Sequence, residues 1–279
     1  MRSIWPDLLG NDGFTVRSSG IWAKEKLYYL ERYLDIFSVG MHKRWQGKLY
    51  YVDLFAGPGR CLIPETKEEF DGSPLIALKF NFAQYFFFES DPSCFKALET
   101  RIKNRAPEKL KNVELVPSDC NKEISKVSPP PTSSLGVAFI DPTGISPLPF
   151  ETIRKLTAKR KIDLIINFHE GMGIRMNLHQ YTATDENALT SFMGSDRWKH
   201  QSKQQPKSFN ETCRAITKEY LENLQELGYL AFDSDRIPIK TDQDTLLYYL
   251  LFASKDPKGT EFWHKIGLIN PHGQREFQY

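Results

Sequence analysis

The run Val52-Asp-Leu-Phe-Ala-Gly-Pro-Gly59 decides the fold. It closes an apolar stretch, residues 48–55, and enters a turn where Gly57 and Gly59 let the backbone come close to a ligand. Two common phosphate loops are excluded here. No GK[ST] follows, and position 62 is Leu where a dinucleotide fingerprint has its third glycine. Asp53, inside the apolar stretch, needs a partner or a ligand, because burying a lone carboxylate is costly.

Outward from this run, short apolar segments alternate with helical ones. Residues 84–89, 112–116, 135–141 and 161–168 read as further strands, and 73–82, 92–105, 121–127 and 149–158 as crossover helices. Strands this apolar are buried on both faces, so the pattern predicts a doubly wound, mostly parallel α/β sheet with helices on both faces. Residues 1–20 read as an irregular arm. Trp22, Leu27, Leu30, Leu34 and Phe37 then mark a helix over 21–45. A polar insertion is expected at about 60–72 and another at about 170–210. Residues 209–227 read as an amphipathic helix ended by Gly228, and 245–254 as a late antiparallel strand at the sheet edge. The expected organisation is an N-terminal arm and helix, 1–46, packed on one α/β domain, 47–279.

Composition removes several classes of function. With 40% hydrophobic residues in 279, the chain buries a full core and is not disordered. Lys and Arg number 37 against 35 Asp and Glu, which excludes a polycationic DNA-coating protein but leaves room for a local basic patch. Cys61, Cys94, Cys120 and Cys213 lie far apart without a CxxC pair, so neither a disulfide framework nor a metal site is signalled. A reducing, cytoplasmic setting fits that usage. No apolar run approaches the ~20 residues of a membrane helix, so no membrane partner is expected.

The Asp53-Leu-Phe-Ala-Gly-Pro-Gly59 run resembles motif I of class I S-adenosylmethionine-dependent methyltransferases, which implies their Rossmann-like fold with a helical N-terminal extension. In that family an acidic residue at the end of the second strand holds the ribose hydroxyls; Glu89, followed by Ser90, stands there. An acidic residue after the third strand accepts from the adenine amine, and Asp119, followed by Cys120, matches it. Asp141 ends the fourth strand, where methyl transfer occurs. The resemblance therefore implies S-adenosylmethionine as cofactor, held by Asp53, Phe55, Gly57, Gly59, Glu89, Ser90, Asp119, Cys120 and Asp141, with Trp22 and Lys24 reaching its mouth from the first helix.

A narrower resemblance covers most of the chain. Trp22-Ala-Lys24, the motif I run through Arg60, Glu69-Phe-Asp-Gly-Ser-Pro-Leu-Ile-Ala77, Phe139-Ile-Asp-Pro-Thr-Gly144, Asp163-Leu-Ile-Ile-Asn167 and Phe262-Trp-His-Lys-Ile266 are similar to the three-Cys-motif partner proteins (TcmP family). That family implies a methyltransferase-like domain working with a separate three-Cys-motif protein.

Asp141-Pro142-Thr143-Gly144 carries the reading of the reaction. Amino-methyltransferases acting on bases use an acceptor followed by two prolines and an aromatic; here the second proline and the aromatic are missing. The run resembles the D-P-F-G motif of tRNA guanosine-N2 dimethyltransferases, with Thr143 in place of Phe. By that analogy Asp141, with Pro142 and Thr143, orients an exocyclic amine of RNA or DNA toward the methyl group and takes up the departing proton. Gly144, His169, Arg175, Asn177 and Lys199 are further candidates for substrate contact. Arg197-Trp198-Lys199 with Lys203 and Lys207 combines charge and an aromatic, as a nucleic-acid patch would. Two other readings stand beside the enzyme: an interaction module active only with its three-Cys-motif partner, and a pseudoenzyme that binds nucleic acid without cofactor.

Overall fold

The structure is a computed structural model and describes residues 8–128, 133–183, 187–199, 208–269 and 271. In chain order its main elements are β1 (Arg17–Ser18), α1 (Trp22–His42), β2 (Leu49–Asp53), β3 (Arg60–Ile63), β4 (Glu68–Asp71), α2 (Ser73–Ala77), β5 (Gln84–Phe88), α3 (Pro92–Arg105), β6 (Val113–Val116), α4 (Cys120–Glu123), β7 (Leu135–Ile140), α5 (Phe150–Thr157), β8 (Ile162–Phe168), β9 (Ile237–Lys240) and β10 (Leu246–Ala253). Helix Phe209–Glu226 precedes β9, and helix Pro257–Gly267 follows β10.

Seven strands form one sheet in the order β6-β5-β2-β7-β8-β10-β9. The first five are parallel; β10 runs antiparallel to β8 and to β9. Side chains alternate between two cores. Leu49 and Tyr51 face the layer of α1, α2 and α3, while Tyr50 and Val52 face that of α4, α5 and helix Phe209–Glu226. Each such large side chain, fully buried, contributes about 1.5–3 kcal/mol of transfer free energy.

Two expectations change in detail. The late strand is antiparallel but sits one place in from the edge, and its nearly continuous burial suits that interior position. The edge belongs to β9, which the sequence reading passed over. Ile-Pro-Ile-Lys is short, and Pro238 within it lacks a ladder donor, which an edge strand tolerates. The insertion after β2 is ordered as a β3–β4 hairpin, and β1 pairs with β3 in parallel, so part of the arm belongs to a second, three-stranded sheet.

Strand order reverses at β2, whose neighbours are β5 on one side and β7 on the other. In open α/β sheets such a switch point opens a crevice at the carboxyl ends of the strands. Asp53 pairs in register with Phe139 there, two residues before Asp141. Among the described residues, no helix is long and apolar enough to cross a membrane.

Candidate functional site

A cleft at this switch point encloses about 390 Å³ of empty space, its open mouth included. Its lining includes Phe55, Gly57, Gly59 and Asp141 from the sequence candidates, together with Arg17, Lys26 and Ser73. The loop after β2 turns on two left-handed glycines, Gly57 at φ 64° and Gly59 at φ 83°. A Cβ on Gly57 would meet nothing within 4 Å, whereas one on Gly59 would lie 2.9 Å from Leu98 Cδ1. Gly59 thus packs the loop against α3, and Gly57 keeps its surface bare for a ligand.

Asp53 is fully buried, accepting from Phe55 N at 3.3 Å and from the Tyr51 hydroxyl at 3.2 Å. Burial pushes its carboxyl up to about 7, against the opposing pull of a Ser73 hydrogen bond. It ties the strand end to the loop. Glu89 accepts from Asp91 N at 2.7 Å and from the Gly57 amide; burial raises its pKa, and it meets the rim of the glycine loop. Ser90 beside it is exposed. Asp119 accepts from Asn121 N at 2.9 Å and caps α4, while Cys120 is buried in the core. Neither lines the cleft.

Asp141 is the electrostatic centre. Its Oδ2 accepts from Lys26 Nζ at 2.5 Å and its Oδ1 from Asn167 Nδ2 at 2.6 Å, all three side chains being buried. Burial alone would raise its pKa. The Lys26 and Arg17 charges, then the Lys26 and Asn167 hydrogen bonds, bring it instead down to about 2. A carboxylate held ionised in this way can orient and attract a hydrogen-bond donor. Lys26, Asn167 and Arg17 were missed in the sequence. Lys24, expected at the cofactor mouth, pairs instead with Glu68 at 2.5 Å and lies over the Phe70 ring. Trp22 packs against the α1 side of the core and over Gly20, outside the cleft.

Beyond Asp141, several candidates are bonded within the scaffold. Pro142 is buried and its carbonyl receives His169 Nε2 at 2.8 Å. Burial lowers the His169 pKa, so the ring is neutral and donates. Thr143 is exposed, and a Cβ on Gly144 would meet nothing within 4 Å. Arg175 pairs with buried Glu170 at 2.8 Å and with Asn210 Oδ1 at 2.6 Å. Asn177 Nδ2 donates to Gly173 O at 3.0 Å, closing the turn after β8. Of the expected nucleic-acid patch, the structure describes only residues 197–199. Trp198 is 2% exposed and therefore core, and Arg197 is bound by Glu226 and Asn223. Lys199 lies over the Trp198 ring; Lys203 and Lys207 lie outside the described residues.

The comparisons bear on the fold. A Legionella pneumophila protein of solved structure, LPL1258, is 14% identical, with a TM-score of 0.53 over 92% of this chain and 95% of that one. Looser likenesses include a Streptococcus thermophilus rRNA methylase, 12% identical over 78% of this chain and 96% of that one, TM-score 0.39. Another is M. jannaschii TYW2 in complex with AdoMet, 15% identical over 77% and 74%, TM-score 0.36. No protein-family model matches the chain, and no curated protein does. The sheet order, with its one antiparallel strand set between two others, defines a Rossmann-like class I methyltransferase fold.

Proposed function

We propose that this chain is an S-adenosylmethionine-dependent methyltransferase that transfers methyl to an exocyclic amine of a nucleic-acid base. The observation that carries the reading is the meeting of four strand-end features at one switch point: buried Asp53, the bare Gly57 loop, Glu89 bonded to that loop, and ionised Asp141 across the cleft. A nucleoside with an amino-acid tail suits this set. Glu89 would hold its ribose hydroxyls, the Gly57–Gly59 backbone its tail, and Phe55 would cover it.

When bound, the cofactor supplies an electrophilic methyl group. Asp141 accepts a hydrogen bond from the acceptor amine and so turns the nitrogen lone pair into the cleft; orientation of this kind supplies much of the rate of such a transfer. Lys26 and Asn167 fix the carboxylate in place, and each of its oxygens keeps a further lone pair for the acceptor. The amine's proton leaves to solvent rather than to a group as acidic as Asp141. His169 steadies the loop by holding the Pro142 carbonyl.

The acceptor side favours a second reading, in which the chain works with a three-Cys-motif protein. Arg175, Asn177 and Trp198 are committed to the scaffold, and Met172 and Met176 stand 53% and 76% exposed beside the turn after β8. Incubation with methyl-labelled S-adenosylmethionine and total tRNA, rRNA or DNA tests the first reading. Label on a base amine, lost in Asp141→Ala while cofactor affinity survives, supports it. Transfer only after adding the three-Cys-motif protein supports the second. No transfer under either condition counts against both.

A further inference from the structure

We infer that the arm over residues 8–18 is a clasp that delivers the carboxylate-binding group of the cleft, Arg17, and that Arg101 is the residue that positions it. The inference rests on the cofactor reading above and adds a subsite to it.

Arg101 projects from α3 and is 3% exposed. A guanidinium has five N–H donors, and here all are used. Nε and Nη2 clamp the Asp12 carboxylate at 2.8 Å each, Nη2 also reaches Phe14 O at 3.2 Å, and Nη1 donates to Thr15 O and Pro58 O, both at 2.7 Å. The first three partners belong to the arm. Pro58 is the residue between the two glycines of the cofactor loop. One side chain therefore ties the arm to that loop. The Arg101 pairing in turn holds Asp12 down to about 2. Asn11 N adds a bond to Glu69 Oε1 at 2.6 Å, fastening the arm to the β3–β4 hairpin.

The clasp places Arg17. Two residues beyond Thr15, it pairs in register with Cys61 of β3 and lines the cleft beside Lys26, Gly57, Ser73 and Asp141. Among the described residues its guanidinium makes no hydrogen bond or ion pair. The other two cations of the lining are paired, Lys26 with Asp141 at 2.5 Å and Arg60 with Glu69 at 3.0 Å. Asp141 and Glu89 lie close enough to feel its charge, but buried N–H groups without an acceptor carry a desolvation cost that a hydrogen-bonded anionic ligand group removes. In a nucleoside with an amino-acid tail, that group is the carboxylate, which fits the fork of an arginine.

Calorimetric titration with two probes tests this. S-adenosylhomocysteine carries the amino-acid tail; 5′-methylthioadenosine has the same nucleoside thioether without it. Arg17→Gln is expected to weaken the first by about 10- to 100-fold, the range of a charge-assisted bond, and to leave the second within about threefold. Arg101→Gln touches no ligand yet is expected to reproduce this selective loss, with faster proteolytic cutting inside 8–18. Asp12→Asn, at the exposed end of the clasp, is expected to do the same more weakly, and it carries the test if Arg101→Gln fails to fold. Equal losses for both probes, or an Arg17→Gln protein with undiminished S-adenosylhomocysteine affinity, would overturn the inference. Wild-type protein that binds neither probe would instead bring down the cofactor reading on which it rests.

Discussion

The two halves of the switch-point cleft are built on different terms. On the β2–β5 side Gly57 is bare, the Arg17 guanidinium makes no hydrogen bond or ion pair among the described residues, and Glu89 is bonded to the glycine loop. On the β8 side nearly every polar group is already consumed. Arg175 neutralises Glu170, Asn177 closes a turn, and His169 holds a carbonyl. Asp141 stands between them, buried and kept charged by Lys26, Arg17 and Asn167. The difference teaches that one half keeps bare backbone and an uncommitted guanidinium at the cleft, while the other spends its polar groups on its own scaffold.

The largest effect expected is at the boundary between the halves. Lys26→Met leaves the Asp141 carboxylate buried without its cation, and breaking such a pair costs about 3–5 kcal/mol. Urea unfolding measures it; a loss below about 1 kcal/mol would mean that Asp141 is solvated and the boundary is not built as described. Next is the pH dependence of stability. Asp141 lies at about 2 in the folded protein against an ordinary 3.8, so its contribution, on the order of 2 kcal/mol, is full above about pH 4 and is lost as pH falls toward 2. Asp53 has the opposite sign. Its folded value of about 7 means that the native state holds a proton the unfolded chain has released, so stability falls as pH rises from about 4 to 7. Thermal unfolding of Asp53→Asn across that window should gain on wild type with rising pH; parallel curves would contradict the assignment.

Smaller effects sharpen the contrast from the other half. Arg175→Met is expected to cost about 1–2 kcal/mol by loosening Glu170, which retains Thr217 and Arg236, and to leave cofactor affinity unchanged. A tenfold drop in that affinity would move Arg175 into the site. Smallest of all, Lys199→Glu should shift retention of tRNA or DNA by less than about twofold, since Trp198 is not available for stacking and Lys199, half-buried, lies over its ring. A tenfold loss in an electrophoretic shift would restore the nucleic-acid patch.

What could be read in advance follows the same division. Strand ends are local: an apolar run that stops at Asp53, Glu89 or Asp141 puts an acid at a predictable edge of a parallel sheet, and the order of the strands follows from the crossovers. Lys26 left a weaker mark. It falls in phase with buried Ala23, Leu30 and Tyr33 on α1, so a charge on the inward stripe signalled a buried partner, whereas Lys24 points away. Arg17 and Arg101 left none, because the arm meets α3 only through a tertiary contact between segments distant in sequence. In the basic stretch, charge and an aromatic in sequence do not reveal that Trp198 is packed inward.

The most direct test of the central claim is calorimetric titration of the purified protein with S-adenosylmethionine, beside a Glu89→Ala variant. A built cofactor half predicts micromolar binding by the wild type and its loss in the variant, with both proteins unfolding at similar temperatures. Well-folded wild-type protein that takes up no S-adenosylmethionine, or a Glu89→Ala protein that binds it undiminished, would contradict it.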